Sequence, residues 1–212
     1  MFKKSTFCIS LLLIFSLISF AGPNWSLPYT GNIADQIEVF VPDSATATGQ
    51  AVLVLPGGGY HNLSYNEKEL PSRWLQAHGI AAFALSYRMP EGHSMWPLED
   101  AWAAMKYIRA NADKWNLDPH QIGVMGFSAG GHLAAMLSVH NDAQTIPDYS
   151  ILFYPPTSMH AHRGSRVRLL GKDSTLLTER YFSAEDHVSP MTPPTLFFIS
   201  STLINVLLLV LN

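Results

Sequence analysis

Six short runs of this chain are apolar at nearly every position: residues 37–41, 51–55, 80–87, 122–127, 150–154 and 195–200. A strand with one wet face alternates polar and apolar side chains, whereas continuous apolarity means burial on both faces. Between the runs lie segments of helical period at residues 67–78, 98–115 and 130–140. Gly79 stands where the first helix needs a C′ residue, and Pro97 opens the second, with Glu99 and Asp100 in its first turn. Ala101, Met105, Ile108 and Ala112 recur at helical spacing on that second segment; its Trp102 and Tyr107 read as packing residues. The alternation predicts an α/β fold, a mostly parallel sheet with helices on both faces, whose ligand site lies at the carboxyl ends of the strands.

With 212 residues, 48% of them hydrophobic, the chain suits one domain with a sizeable core. The formal net charge of −3 comes with no run of Lys or Arg, which argues against a nucleic-acid partner. Met1-Phe2-Lys3-Lys4 precedes an apolar run over residues 7–20, and Ser19 and Ala21 are small residues at the −3 and −1 positions before Gly22. That pattern predicts a signal peptide over residues 1–21, a secreted or periplasmic product, and no stable membrane association once the leader is cleaved. The single cysteine, Cys8, falls inside the leader, so the mature chain has no disulfide and relies on core packing.

Two motifs fall at carboxyl ends of predicted strands. Gly126-Phe127-Ser128-Ala129-Gly130 is a G-x-S-x-G turn between an apolar strand and a helix-compatible run, Leu133 to Leu137. Its glycines allow a sharp strand-to-helix turn that lifts Ser128 Oγ clear of the sheet. The helix start offers backbone N–H groups to a developing oxyanion, and Ala129 is one expected donor. His132 lies near Ser128 in sequence but begins the helix, and is read as structural. Upstream, the strand at residues 51–55 runs into Pro56-Gly57-Gly58-Gly59-Tyr60. Three glycines let backbone approach a substrate carbonyl, and Gly58 and Gly59 are the expected further oxyanion donors. The triplet lacks the Lys-Ser/Thr of a P-loop and the spacing of a dinucleotide fingerprint. No H-E-x-x-H pattern or cysteine pair is present, and His160 and His162, the one close histidine pair, read as a polar loop. No cofactor or metal is expected.

With these residues, the chain resembles the α/β-hydrolase serine esterases related to bacterial acetylxylan esterases and feruloyl-esterase-like (BD-FAE-type) hydrolases. The likeness is carried by residues 55–60, 84–90, 97–101 and 122–134, with Tyr154-Pro155 and Leu169-Leu170-Gly171 further on. It implies an α/β-hydrolase fold, acyl-enzyme chemistry on Ser128, and ester substrates that are small molecules or plant polysaccharides.

In this fold the triad acid follows the strand here written 195–200, and the histidine follows later. After His187 the sequence contains no Asp, Glu or His. The expectation is therefore a hydrolase domain over residues 22–200 that lacks its last strand or strands and helix, with an aberrant apolar tail at 201–212, from a truncated or frameshifted gene. Rescue by His61, His93, His160, His162 or His187 is a lesser alternative. Two rival functions remain open, a pseudoenzyme that binds without turnover and a serine peptidase of the prolyl-oligopeptidase kind.

Overall fold

The computed structural model describes residues 31–200 and 206–211. The expected leader, with Cys8 and the cleavage point at Gly22, lies outside the described residues. The chain runs β1 (Ile37–Phe40), β2 (Ala51–Leu55), α1 (Tyr65–Ala77), β3 (Ala81–Leu85), α2 (Trp96–Ala110), β4 (Ile122–Phe127), α3 (Ala129–Val139), β5 (Ser150–Phe153), α4 (Arg163–Leu170), α5 (Leu176–Tyr181), β6 (Thr195–Ser200) and β7 (Val206–Leu211). One sheet holds all seven strands in the order β1-β3-β2-β4-β5-β6-β7. Its centre is parallel, and an antiparallel strand flanks it at each end, β1 against β3 and β7 against β6.

β2 shows why these runs are apolar throughout. Ala51, Leu53 and Leu55 pack into a core with Met105 and Ile108 of α2 and Leu133 and Leu137 of α3. Val52 and Val54 point the other way, against Phe40 and Leu75 of α1. Successive side chains leave opposite faces of a strand, and both faces here are covered. Each buried Val or Leu contributes about 1.5–3 kcal/mol, so a polar residue at any of the five positions would be costly.

Helix ends follow their local chemistry. At the end of α1 the Gly79 N–H bonds Gln76 O (3.2 Å) and the Ile80 N–H bonds Leu75 O (3.0 Å), with Gly79 at φ +80°, a paired closure that requires a left-handed residue. The helix expected to continue to residue 115 stops at Ala110 and resumes as a 3-10 turn, Ala112–Trp115. At the break the Asn111 side-chain amide bonds Tyr107 O (2.8 Å), and Asn116 at φ +54° turns the chain away after the 3-10 turn. The segment after β5, read from sequence as a polar loop and an excursion, contains α4 and α5. His162 caps the first by accepting from the Ser165 N–H, and Thr175 caps the second by accepting from the Thr178 N–H.

Within the stretch read from sequence as an apolar tail, the sheet continues into β7, registered from Thr195↔Leu211 to Ser200↔Val206. The open backbone groups of an edge strand are a template for pairing, and Val206 and Val210 favour the extended conformation.

One buried ion pair secures the connection from β3 to α2. The Asp100 side chain is 0% exposed. It accepts from the Arg88 backbone N–H (2.8 Å) and pairs with the guanidinium (2.7 Å), while the guanidinium also meets Glu99 (3.3 Å) and lies over the Trp96 ring (4.9 Å). Removing one partner strands the other, so Asp100→Ala is expected to lower unfolding stability by about 3–5 kcal/mol. A urea denaturation midpoint within error of the parent's would refute that role.

Candidate active site

β2, β4 and β5 are adjacent and parallel, so the segments that leave their carboxyl ends meet. The turn from β4 into α3 holds Ser128 at φ 49°, ψ −117°, a conformation that L residues avoid and that persists only where the surroundings enforce it. The enforcement is visible on both sides. The Ser128 N–H bonds Phe153 O at the end of β5 (2.9 Å), and Ser128 O accepts from the His132 N–H in α3 (2.9 Å).

The two motif glycines are fixed by space. A Cβ on Gly126 would lie 2.8 Å from Gly131 N and 2.6 Å from Gly130 C, inside the first turn of α3. A Cβ on Gly130 would run into the carbonyls of Leu55 and Pro56, with Leu55 C at 2.6 Å. The start of α3 therefore rests directly on the backbone where β2 becomes the glycine loop. Ala129, buried, is the first residue of α3, and its N–H belongs to the first helical turn, which has no intrahelical acceptor.

The glycine loop turns back on itself. Gly58, Gly59 and Tyr60 all have positive φ (131°, 64° and 58°), and Gly58 O accepts from the N–H groups of His61 (3.1 Å) and Asn62 (3.3 Å). Gly58 and Gly59 are half-buried, as is Ser128. Gly57 is the contact with the nucleophile turn: a Cβ there would sit 3.1 Å from Ser128 Cβ and 2.7 Å from Phe127 O. The fold thus brings Ser128, Ala129 and the loop of Gly57–Gly59 to one place.

Sequence reasoning missed the groups that hold this loop. Glu67, in the first turn of α1, accepts the Gly57 N–H through Oε2 (2.9 Å) and the Tyr154 O–H through Oε1 (2.8 Å). Burial, reinforced by that carboxylate, pushes the Tyr154 phenol up from its ordinary value. Tyr87 donates to Pro56 O (2.7 Å). The sequence signals were faint: Glu67 fell at the start of a helix segment, and Tyr154 at the end of a strand.

His132 has both ring nitrogens committed, Nδ1 to Tyr60 Oη (2.5 Å) and Nε2 to Phe182 O (2.8 Å). A carbonyl accepts only, so Nε2 carries the proton and Nδ1 accepts from the phenol. Its place is that of a buried strut between the glycine loop and the segment after α5. Several other histidines are engaged elsewhere. His187 bonds Arg180 O and packs on His140, at the far end of α3 from Ser128. His160 pairs with Glu179 (3.2 Å), His162 caps α4, and His93 stacks on Trp96; His61 is exposed. Among the described residues, Ser128 Oγ has no hydrogen-bond partner. The same residues contain no group of three or more His, Cys, Asp or Glu arranged to hold a metal ion, and no helix long and apolar enough to cross a membrane.

A mainly parallel sheet flanked by helices, with a serine on a strained strand-to-helix turn against a glycine loop, is the arrangement of an α/β-hydrolase. The BD-FAE family model matches residues 37–201, and the chain belongs to that family. An acetylxylan esterase of Xylanibacter ruminicola is 37% identical over 177 residues, which is 78% of this chain and 36% of that protein. Endo-1,4-beta-xylanase B of Butyrivibrio fibrisolvens is 38% identical over 160 residues, covering 68% of this chain and 25% of that one. Among solved structures, an acetyl ester-xyloside bifunctional hydrolase from Caldicellulosiruptor lactoaceticus superposes with a TM-score of 0.70 at 37% identity, over 76% of this chain and 64% of its own. The chain thus spans only part of the length of each of these relatives.

Burial holds the His132 pKa down, from 6.5 to about 4. Below pH 6.5 the unfolded chain takes up a proton that the folded chain refuses until about pH 4, so stability is lost as pH falls through that window. The expected slope is at most ~1.4 kcal/mol per pH unit, and His140, held down in the same direction by partial burial, adds to it. Denaturant unfolding at pH 7, 6, 5 and 4.5 should show this slope, and His132→Gln should flatten it. An unchanged slope in the variant would remove His132 as its source.

Proposed function

We propose that this chain carries the nucleophile and oxyanion-binding elements of a secreted carboxylic-ester hydrolase that deacylates plant polysaccharide or small esters. The observation that carries the reading is the strained Ser128 turn packed on the Gly57–Gly59 loop. Ser128 Oγ attacks the ester carbonyl. The N–H groups of Gly58, Gly59 and Ala129 take the negative charge that moves onto the carbonyl oxygen, and the alcohol leaves as an acyl-serine forms. Water then releases the acid. The names of the relatives, acetylxylan esterase and acetyl ester-xyloside hydrolase, support acylated sugars as the substrate class. The apolar leader of residues 1–21 supports export.

Proton removal from Ser128 needs a base, and none of the described histidines bonds it. Catalysis by the 212 residues alone therefore rests on the oxyanion elements, at a level on the order of 10⁴ to 10⁶ below that of a full triad. Release of nitrophenol from 4-nitrophenyl acetate by the purified chain should be slow, saturable and abolished by Ser128→Ala. A rate indifferent to that substitution would sink the esterase reading. The partnerless Ser128 Oγ also favours a second reading, binding of acylated sugar without turnover. Saturable binding of acetylated xylan with no ester release, unaltered in Ser128→Ala, would establish it.

A further inference from the structure

The glycine loop has a cation lying on it. Arg168, on the last turn of α4, extends across to Gly59. The point that a Cβ of Gly59 would occupy lies 3.7 Å from the guanidinium carbon and 4.0 Å from Arg168 Cδ, with Nη1 closer than either. The guanidinium thus takes the space that any side chain at position 59 would need, and Gly59, at φ +64°, leaves it open. Arg168 is exposed and, among the described residues, makes no hydrogen bond or ion pair. Arg166, two positions earlier on the same helix, is held by Glu179 (3.3 Å). The carboxylate on the loop's other flank, Glu67, is already engaged by the Gly57 N–H and the Tyr154 O–H.

An unpaired guanidinium resting on a loop that borders the nucleophile presents several N–H donors in a fork that matches a carboxylate. Among the described residues, no acidic side chain answers it. We propose that Arg168 forms an anion subsite at the rim of the active site and takes a carboxylate that the substrate carries close to its scissile ester. The proposal rests on the esterase reading of Ser128. It adds that the preferred ester is acidic, bearing a carboxylate on the acyl group or on the sugar residue it decorates.

The test separates binding from turnover. In Ser128→Ala, which cannot acylate, monomethyl succinate and its neutral near-isostere methyl butyrate are titrated by saturation-transfer NMR. The charged ester is expected to bind about tenfold more tightly at low salt, the scale of one charge-assisted hydrogen bond in a partly wet site. The preference should shrink as salt is raised and disappear in Ser128→Ala/Arg168→Gln. Because Arg168 is exposed, its replacement should leave the thermal midpoint of the protein unchanged. Failure of monomethyl succinate to bind, equal binding of the two esters, or a preference that survives Arg168→Gln would each overturn the subsite. Nitrophenyl acetate turnover by the parent chain judges the esterase reading independently of that result.

Discussion

The site depends on a contact made without side chains. Gly130, at the start of α3, lies against the carbonyls of Leu55 and Pro56, and Gly57 lies against Phe127 O and Ser128 Cβ. Parallel pairing of β2 with β4, in the register Leu55↔Gly126, delivers the two backbones to the same level, and the absence of Cβ atoms lets them close. A methyl group at position 130 or 57 would have to displace backbone, which is the least compliant part of a packed interior. The loop and the nucleophile turn are in this sense one object, and neither has its shape without the other.

Around that contact, polar ties fix the loop from several directions. Glu67 holds the Gly57 N–H from α1, Tyr87 holds Pro56 O from the end of β3, and Tyr60 leans on His132, which in turn donates to Phe182 O. The Arg88–Asp100 pair anchors the segment from which Tyr87 projects. A buried polar group stabilises only when its partners are all supplied, and here each is supplied by a different element. Loop geometry is therefore coupled to the assembly of the whole upper half of the sheet.

Much of the backbone strain gathers at the same end of the molecule. Gly58, Gly59 and Tyr60 follow β2, Ser128 follows β4 and Tyr154 follows β5, and all have positive φ. For the non-glycine residues such conformations cost on the order of 1–3 kcal/mol each. The continuous core on both faces of β2, β3 and β4 offsets that cost. A chain with a weaker core would relax these turns, and Ser128 Oγ would lose its fixed position relative to the N–H groups beside it.

The sequence alone determined the sheet, its mainly parallel sense and the location of Ser128. The reason is that burial on both faces and the G-x-S-x-G turn are local demands, written in consecutive residues. It also marked Gly79 correctly as a helix stop, since a left-handed C′ residue needs only its own helix. The tertiary structure decided what depends on residues far apart in the chain. Glu67 and Tyr154 are 87 positions apart and meet only because α1 and β5 converge on the loop. His132 became a strut through partners at positions 60 and 182. Arg168 came to lie on Gly59 because α4, invisible as a period in so short a segment, folds over the carboxyl end of the sheet. The edge was likewise decided by pairing, for whether 206–211 forms a strand depends on the free side of β6 more than on its own six residues.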